Sequence, residues 1–401
     1  MGAIPHRVGL YLAVLQLFFT LCWTVYAIYL PKLTALVGIP ASMVIWILLL
    51  DQAVFTVTDT AMGVAADKVS NVLGRLGRLV AAITALSCAA FLLLPLVAAG
   101  TGSAPLFMAL TLVWVVTSSA LRAPPLMLLG KYAAAPSIPW LSSLSMLGIG
   151  IASAVSPYLA RTLRELDPRI PFALASLVLV VTALALSTIE RNLARDGGRP
   201  ATPPPRPPAV LSPPVVIFIA AMAVLALGFQ LHFALNSAPL FRRLAPDTDL
   251  SLLMPVFWVG FNVALLPASF LTKRWGALPV IGISGLAGAL AIAVVQLADI
   301  LDVVLVAQFA AGAAWACVMM SAVTAALSIG NSGAEGRVVG LMFSALAVAT
   351  FLRMASVAGG LPGNPAIAEI LEWAPIFCWA IAGAVLIYIS ATRMRSWMAA
   401  R

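Results

Sequence analysis

Long apolar segments recur along the whole chain and constrain its fold more than any other feature. One of them, residues 79–99, reads LVAAITALSCAAFLLLPLVAA. It is long enough to cross a bilayer, which takes about 20 residues in a helix. Lipid hydrocarbon admits only helices or closed barrels, and barrel strands would alternate polar and apolar residues. Because 62% of the 401 residues are hydrophobic and only 9% are charged, the sequence predicts an all-α polytopic membrane protein.

Twelve such spans can be placed along the chain. They cover residues 8–30, 42–66, 79–99, 105–130, 139–160, 170–189, 213–238, 251–272, 277–298, 302–328, 338–360 and 373–392. Most connections are short, but residues 190–212 are rich in Pro, Arg and Gly, a composition that favours an extended linker. We therefore predict an N-terminal six-helix bundle at 1–189, a cytoplasmic linker at 190–212 and a C-terminal six-helix bundle at 213–401.

The basic residues indicate how the chain is oriented in the membrane. Most Lys and Arg outside the spans fall in the loops on the same side as the two termini. The positive-inside rule then predicts a multi-pass protein of the inner (plasma) membrane with both termini cytoplasmic. This topology signal accounts for the formal charge of +9, so we expect no nucleic-acid partner. We also expect no metal and no cofactor, since all four cysteines lie inside apolar segments without metal-ligand spacing.

A cluster of charges and glycines closes the second span, in the stretch TDTAMGVAADKVSNVLGRLGR at residues 58–78. Glycine at position 63 permits the close approach of another helix. The carboxylate at position 67 can pair with basic groups or cap the N-terminus of a neighbouring helix. We therefore predict a cytoplasmic gate at Gly63, Asp67, Lys68, Arg75 and Arg78. The alternative is that the basic residues only set the topology.

The pattern Gly63-x-x-x-Asp67-Lys68, followed by Gly74-Arg75 and Gly77-Arg78, resembles the loop between helices 2 and 3 of the major facilitator superfamily. Its spacing is more similar to the glycoside–pentoside–hexuronide:cation symporter branch, although Thr60 stands where that branch has Pro and Leu73 where it has Trp. The resemblance implies the major facilitator fold, with two pseudo-symmetric six-helix bundles. It also implies a substrate cavity between the bundles, lined by helices 1, 4, 7 and 10.

Four charges lie inside predicted spans, at Asp51, Asp59, Arg122 and Arg353. A charge at mid-membrane costs at least about 2.5–3.5 kcal/mol, so each needs a partner or a function. Asp59 and Arg122 lie at similar depth, and we predict an ion pair between them; a static pair joining two helices is the alternative. Arg353 has no acid in its own helix, so we expect it to meet Asp51 or an anionic substrate, with snorkelling to the surface as the alternative.

Intramembrane acids often mark proton relays, so we predict that Asp51 and Asp59 carry a coupled proton. A hydrogen-bonded, purely structural Asp51 is the alternative. The remaining substrate-binding candidates are polar or aromatic residues on the expected cavity helices. With Arg122 and Arg353 they form the predicted site: Trp23, Tyr26, Gln230, His232, Asn236, Gln308 and Trp315. Each of these side chains could equally serve ordinary packing.

Together these features favour a secondary active transporter that moves a small polar or anionic metabolite by alternating access with proton coupling. Its expected partners are that metabolite, a proton and membrane lipid, and we expect a monomer. An efflux transporter of amphiphilic compounds is a second interpretation, and a non-transporting membrane sensor is a third. An enzyme is disfavoured, because the sequence shows no ATP-binding loop and no nucleophile with its base.

Overall fold

A computed structural model describes residues 6–69, 75–133, 135–196, 212–330 and 333–399. Within these ranges the chain forms sixteen α-helices and no β-strand. Twelve helical segments are long and apolar enough to cross a membrane, as the sequence predicts. The all-α polytopic architecture is therefore confirmed.

Eight helices lie on each side of the linker region. The first half contains α1 (His6–Leu36), α2 (Val44–Val69), α3 (Arg75–Gly100), α4 (Ala104–Ser118), α5 (Ala123–Tyr132), α6 (Ile138–Leu163), α7 (Arg169–Leu184) and α8 (Leu186–Asp196). The second half contains α9 (Pro213–Phe229), α10 (Ser237–Arg242), α11 (Leu250–Leu253), α12 (Pro255–Trp275), α13 (Ala277–Leu297), α14 (Leu301–Gly330), α15 (Glu335–Ala358) and α16 (Pro365–Ala399). We call the end of the molecule where α1 begins and α8 ends the linker face.

Two of the spans are interrupted, each for an identifiable reason. Between α4 and α5 the chain tightens into a 3₁₀ turn at Ser119–Leu121, and Pro124 occupies the first turn of α5. Proline lacks a backbone N–H and ends the preceding helix, as the Pro124-Pro125 pair predicts. Between α9 and α10 the residues Gln230–Asn236 form a π-helix, which the sequence analysis did not predict.

The sixth span continues further than predicted, because α8 packs closely on α3. A Cβ added at Gly77 would lie 2.5 Å from Cα of Ser187. The fully buried Glu190 accepts a hydrogen bond from the backbone N–H of Gly77, at 2.7 Å. Residues 190–196 of the predicted linker are therefore helical; residues 197–211 lie outside the described ranges, and Ser212 is extended just before α9.

The two halves meet most closely where α2 crosses α15 near the linker face. A Cβ added at Gly63 would lie 2.1 Å from the carbonyl oxygen of Gly336, and one added at Gly340 would lie 2.5 Å from that of Asp59. Only glycine permits backbones to approach so closely. Thr60 and Ser344 add a hydrogen bond between their hydroxyls across the same crossing, at 2.7 Å.

We expect Gly63→Ala to separate α2 from α15, because its new methyl group has no space beside the Gly336 carbonyl. Overpacking of this kind costs about 1–3 kcal/mol. In a background lacking the four free cysteines, spin labels at Arg191→Cys and Lys273→Cys report the distance between the halves at the linker face. Pulsed EPR should show a longer, broader distance distribution.

The matched control is Gly100→Ala, since a Cβ at Gly100 meets nothing within 4 Å. It should leave both the distance distribution and the thermal stability at their wild-type values. An unchanged distribution in Gly63→Ala would contradict the steric argument.

Candidate functional site

A central cavity of about 270 Å³ lies between the two halves. Most of its wall is aromatic or apolar, and a few polar groups interrupt it. The lining residues are Gln16, Phe19, Thr20, Trp23, Gln52, Phe55, Arg122, Met146, Ile149, Ala226, Phe229, Gln230, Trp258, Phe261, Trp315, Met319, Phe343, Leu346 and Thr350. Apolar walls with a small number of placed polar groups are typical of sites for small organic ligands.

An ion pair between Arg122 and Asp59 lies at the wall of this cavity. The Nη1 atom of Arg122 is 2.7 Å from Oδ2 of Asp59; the Asp59 side chain is fully buried and that of Arg122 is 16% exposed. The guanidinium also lies 4.7 Å from the ring centre of Phe55 and 5.0 Å from that of Phe343. The predicted pair is confirmed, and its cation contacts both halves because Phe343 belongs to α15. Its role in transport remains a prediction.

The second intramembrane acid, Asp51, is enclosed within the first half. It shares one buried stripe of α2 with Phe55 and Asp59, as the four-residue spacing predicts. Its Oδ2 accepts a hydrogen bond from the hydroxyl of Tyr26 at 3.0 Å. Tyr26 is fully buried and does not line the cavity; its hydroxyl contacts Asp51 instead.

The expected meeting of Arg353 with Asp51 does not occur. The ion pairs among the described residues are Arg122–Asp59 and two exposed pairs near α10, and Arg353 takes part in none of them. Instead its Nε donates to Oε1 of Gln230 at 3.1 Å. The physical reason is that Tyr26 already satisfies Asp51 inside the first half, while the π-helix after α9 presents the Gln230 acceptor beside α15.

Three other candidates do not line the cavity, and two of them lie in the π-helix. Its wider turn lets the backbone N–H of Ser237 bond the carbonyl of His232, five residues earlier, and so adds a residue to the turn. His232 and Gln308 are consequently buried together inside the second half, with 3.0 Å between Nε2 and Oε1. Asn236 donates to the carbonyl of Leu371 in α16. These three residues therefore lie in helix–helix contacts and do not line the cavity.

Trp23, Arg122, Gln230 and Trp315 do line the cavity, as predicted. Four aromatic residues of α9, α12 and α15 also line the cavity and were not predicted from the sequence: Phe229, Trp258, Phe261 and Phe343. Aromatic residues that face lipid recur along a helix at the same spacing as aromatic residues that face a cavity. Helical periodicity alone therefore could not distinguish a cavity-facing ring from a lipid-facing one. Gln52 was also missed, beside the more conspicuous Asp51.

The predicted gate divides into an interface pair and a set of exposed basic residues. Asp67 accepts hydrogen bonds from the backbone N–H groups of Gly336 and Arg337, at 2.7 and 2.8 Å. It thereby caps the N-terminus of α15 from the other half, which is one of the two contacts predicted for it. Lys68, Arg75 and Arg78 are exposed beside it, and Gly74 lies outside the described residues.

We expect Asp67→Asn to weaken contact between the halves by about 0.5–2 kcal/mol, because an amide cannot accept both N–H groups as a carboxylate does. The same Arg191→Cys and Lys273→Cys label pair should report an increased open fraction. The control is Asp167→Asn, whose exposed carboxylate accepts the N–H of Arg169 within the first half. If both changes leave the distance unaltered, the Asp67 cap does not hold the halves together.

Within the described ranges, no group of three His, Cys, Asp or Glu side chains is placed to hold a metal ion. The polar side chains of the cavity wall carry amides, hydroxyls and one guanidinium, that of Arg122, whose charge is paired with Asp59. They suit hydrogen bonding to an organic ligand.

Comparison with known proteins supports a transporter. The sequence model of the Major Facilitator Superfamily matches residues 12–354. Comparison with curated proteins gives no match. Among solved structures, a bacterial homologue of the iron transporter ferroportin, in an outward-facing state, shares 16% identity with a TM-score of 0.69, covering 96% of this chain and 100% of its own.

Two further structures have the same fold. The human organic anion transporter MFSD10 gives a TM-score of 0.69 at 13% identity, covering 96% of this chain and 99% of its own. The Escherichia coli fucose:proton symporter FucP gives 0.66 at 12% identity, covering 97% and 99%. At these identities the likeness concerns the fold alone.

Proposed function

The chain belongs to the major facilitator superfamily, and we propose that it is a secondary active transporter that carries a small amphiphilic solute by alternating access. The observation that carries the proposal is the cavity between the halves, whose wall combines aromatic rings from both with a few polar side chains. Aromatic walls favour a solute with an apolar body, so the amphiphilic interpretation fits this cavity better than a purely polar metabolite.

Alternating access requires the halves to separate at the linker face. Their contacts there include the glycine approaches, the Thr60–Ser344 hydroxyl pair and the Asp67 cap. A hydrogen bond between hydroxyls contributes only about 0.5–1.5 kcal/mol net and one to a carboxylate about 1.5–3 kcal/mol, so these bonds can be broken within a transport cycle. By the positive-inside rule we place this face in the cytoplasm.

The Arg122–Asp59 pair is the strongest candidate for coupling to a proton. A proton that binds an Asp59 carboxylate oxygen neutralises that group and removes its attraction for the guanidinium. Arg122 is then free to move relative to Phe343 of the second half, against which it now lies. Asp51 offers a second site, held by a hydrogen bond from the Tyr26 hydroxyl inside the first half.

We expect Asp59→Asn alone to destabilise the protein by about 3–5 kcal/mol, because it leaves Arg122 buried without its counter-charge. The double change Asp59→Asn with Arg122→Gln should recover most of that stability but not proton-driven accumulation. Thermal unfolding and transport in proteoliposomes measure the two effects separately.

The matched control is the exposed pair Arg242–Asp247, replaced by Gln and Asn, which has the same 2.7 Å separation. It should alter neither stability nor transport. Full proton-driven accumulation in the Asp59 and Arg122 double variant would show that the buried pair is only structural.

Transport itself is tested by counterflow in proteoliposomes, with and without a pH gradient in either direction. The radiolabelled panel comprises sugars, aliphatic carboxylates, aryl carboxylates and aryl amines. We expect gradient-dependent flux of at least one aryl compound. Absence of gradient-dependent flux for the whole panel would contradict the proposal.

A further inference from the structure

We infer that Gln230, oriented by Arg353, presents a hydrogen-bond donor to the cavity and selects a solute that carries a carboxylate. This inference rests on the proposed transport function and specifies the chemistry of its substrate. Arg353 is a positioning residue here, because it does not line the cavity and acts through Gln230.

The orientation of the Gln230 amide follows from the chemistry of its partner. A guanidinium has only donors, so the group that faces Arg353 Nε must be the amide oxygen. The amide nitrogen of Gln230 therefore points away from Arg353. It has no hydrogen-bond partner among the described residues, while the side chain lines the cavity. The wall consequently offers unused N–H groups at this point.

Gln16 shows the opposite orientation for the same kind of reason. Its amide nitrogen donates to the backbone carbonyl of Leu121 at 3.0 Å, and a carbonyl has no donor. Its amide oxygen is therefore the group left for the cavity, which Gln16 also lines. The two halves thus offer opposite hydrogen-bonding groups, an acceptor from α1 and a donor from the π-helix that follows α9.

The charges around the cavity favour an anion on the Gln230 side. Arg122 is matched by Asp59 and flanked by two rings, so its charge is already compensated. Arg353 forms no ion pair with any described residue, and its charge lies behind the Gln230 amide. An aryl carboxylate satisfies both features of the site: its rings pack on the aromatic wall, and its oxygens accept from the amide nitrogen.

Three probes of similar size and different charge test this inference. They are naphthylacetate, the neutral naphthylacetamide and the cation naphthylethylammonium. Binding to the purified full-length protein is measured by calorimetry without any gradient. We expect naphthylacetate to bind the wild type at least about tenfold more tightly than naphthylethylammonium, because the site leaves the ammonium group unpaired.

Two substitutions separate the amide orientation from charge in general. Arg353→Gln should weaken naphthylacetate binding about tenfold and change naphthylacetamide binding by less than about threefold, since the freed amide can rotate. Gln230→Glu should invert the preference towards naphthylethylammonium. Gln52→Glu adds the same charge to the cavity wall on α2 of the first half and should not invert it.

A wild type that binds no probe, or does not distinguish the anion from the cation, would overturn the inference. The inference would also be overturned if Gln52→Glu inverted the preference as strongly as Gln230→Glu does. The same holds if Arg353→Gln left the ratio of naphthylacetate affinity to naphthylethylammonium affinity unchanged. Arg353→Lys retains a charged donor and should keep the preference within about threefold, which controls for a misfolded Gln variant. Discrimination without flux would refute only the transport proposal, and flux without discrimination would refute only this inference.

Discussion

The crossing of α2 and α15 is the contact on which the rest of the arrangement depends. Gly63 and Gly336 bring the two backbones so close that no side chain fits between them. That approach places Asp67 against the first N–H groups of α15 and sets Phe343 beside Arg122. The cap, the ion pair and one wall of the cavity therefore share a single interface between the halves.

The interactions along this interface differ greatly in strength. The hydrogen bonds at the linker face are individually small, whereas removing one member of a buried ion pair costs several kcal/mol. A cycle that opens the linker face can therefore break the first set while the pair stays inside its own half. At the pair, Arg122 contacts Phe343 of α15 and the Asp59 carbonyl lies against Gly340 of α15, so charge and opening can influence each other there.

Much of the fold could be predicted because bilayer hydrocarbon leaves few alternatives. The twelve spans follow from apolar length, and the Asp59–Arg122 pair follows from the cost of unmatched charge at similar depth. The contact of Asp67 with α15 was one of two predicted possibilities. The structure departs from the expected positions where a side chain's direction matters: His232, Asn236 and Gln308 do not line the cavity but make contacts inside the second half, the first two from a π-helix.

By itself the sequence determined the helical class, the two-half organisation and the need for its buried charges to find partners, because these follow from solvation in lipid. The tertiary structure decided which partner each charge found. Arg353 met Gln230 rather than Asp51 because hydrogen-bond geometry depends on helix rotation and crossing, and neither is encoded in apolar periodicity. The same geometry turned two similar glutamines, Gln16 and Gln230, into an acceptor and a donor for one cavity.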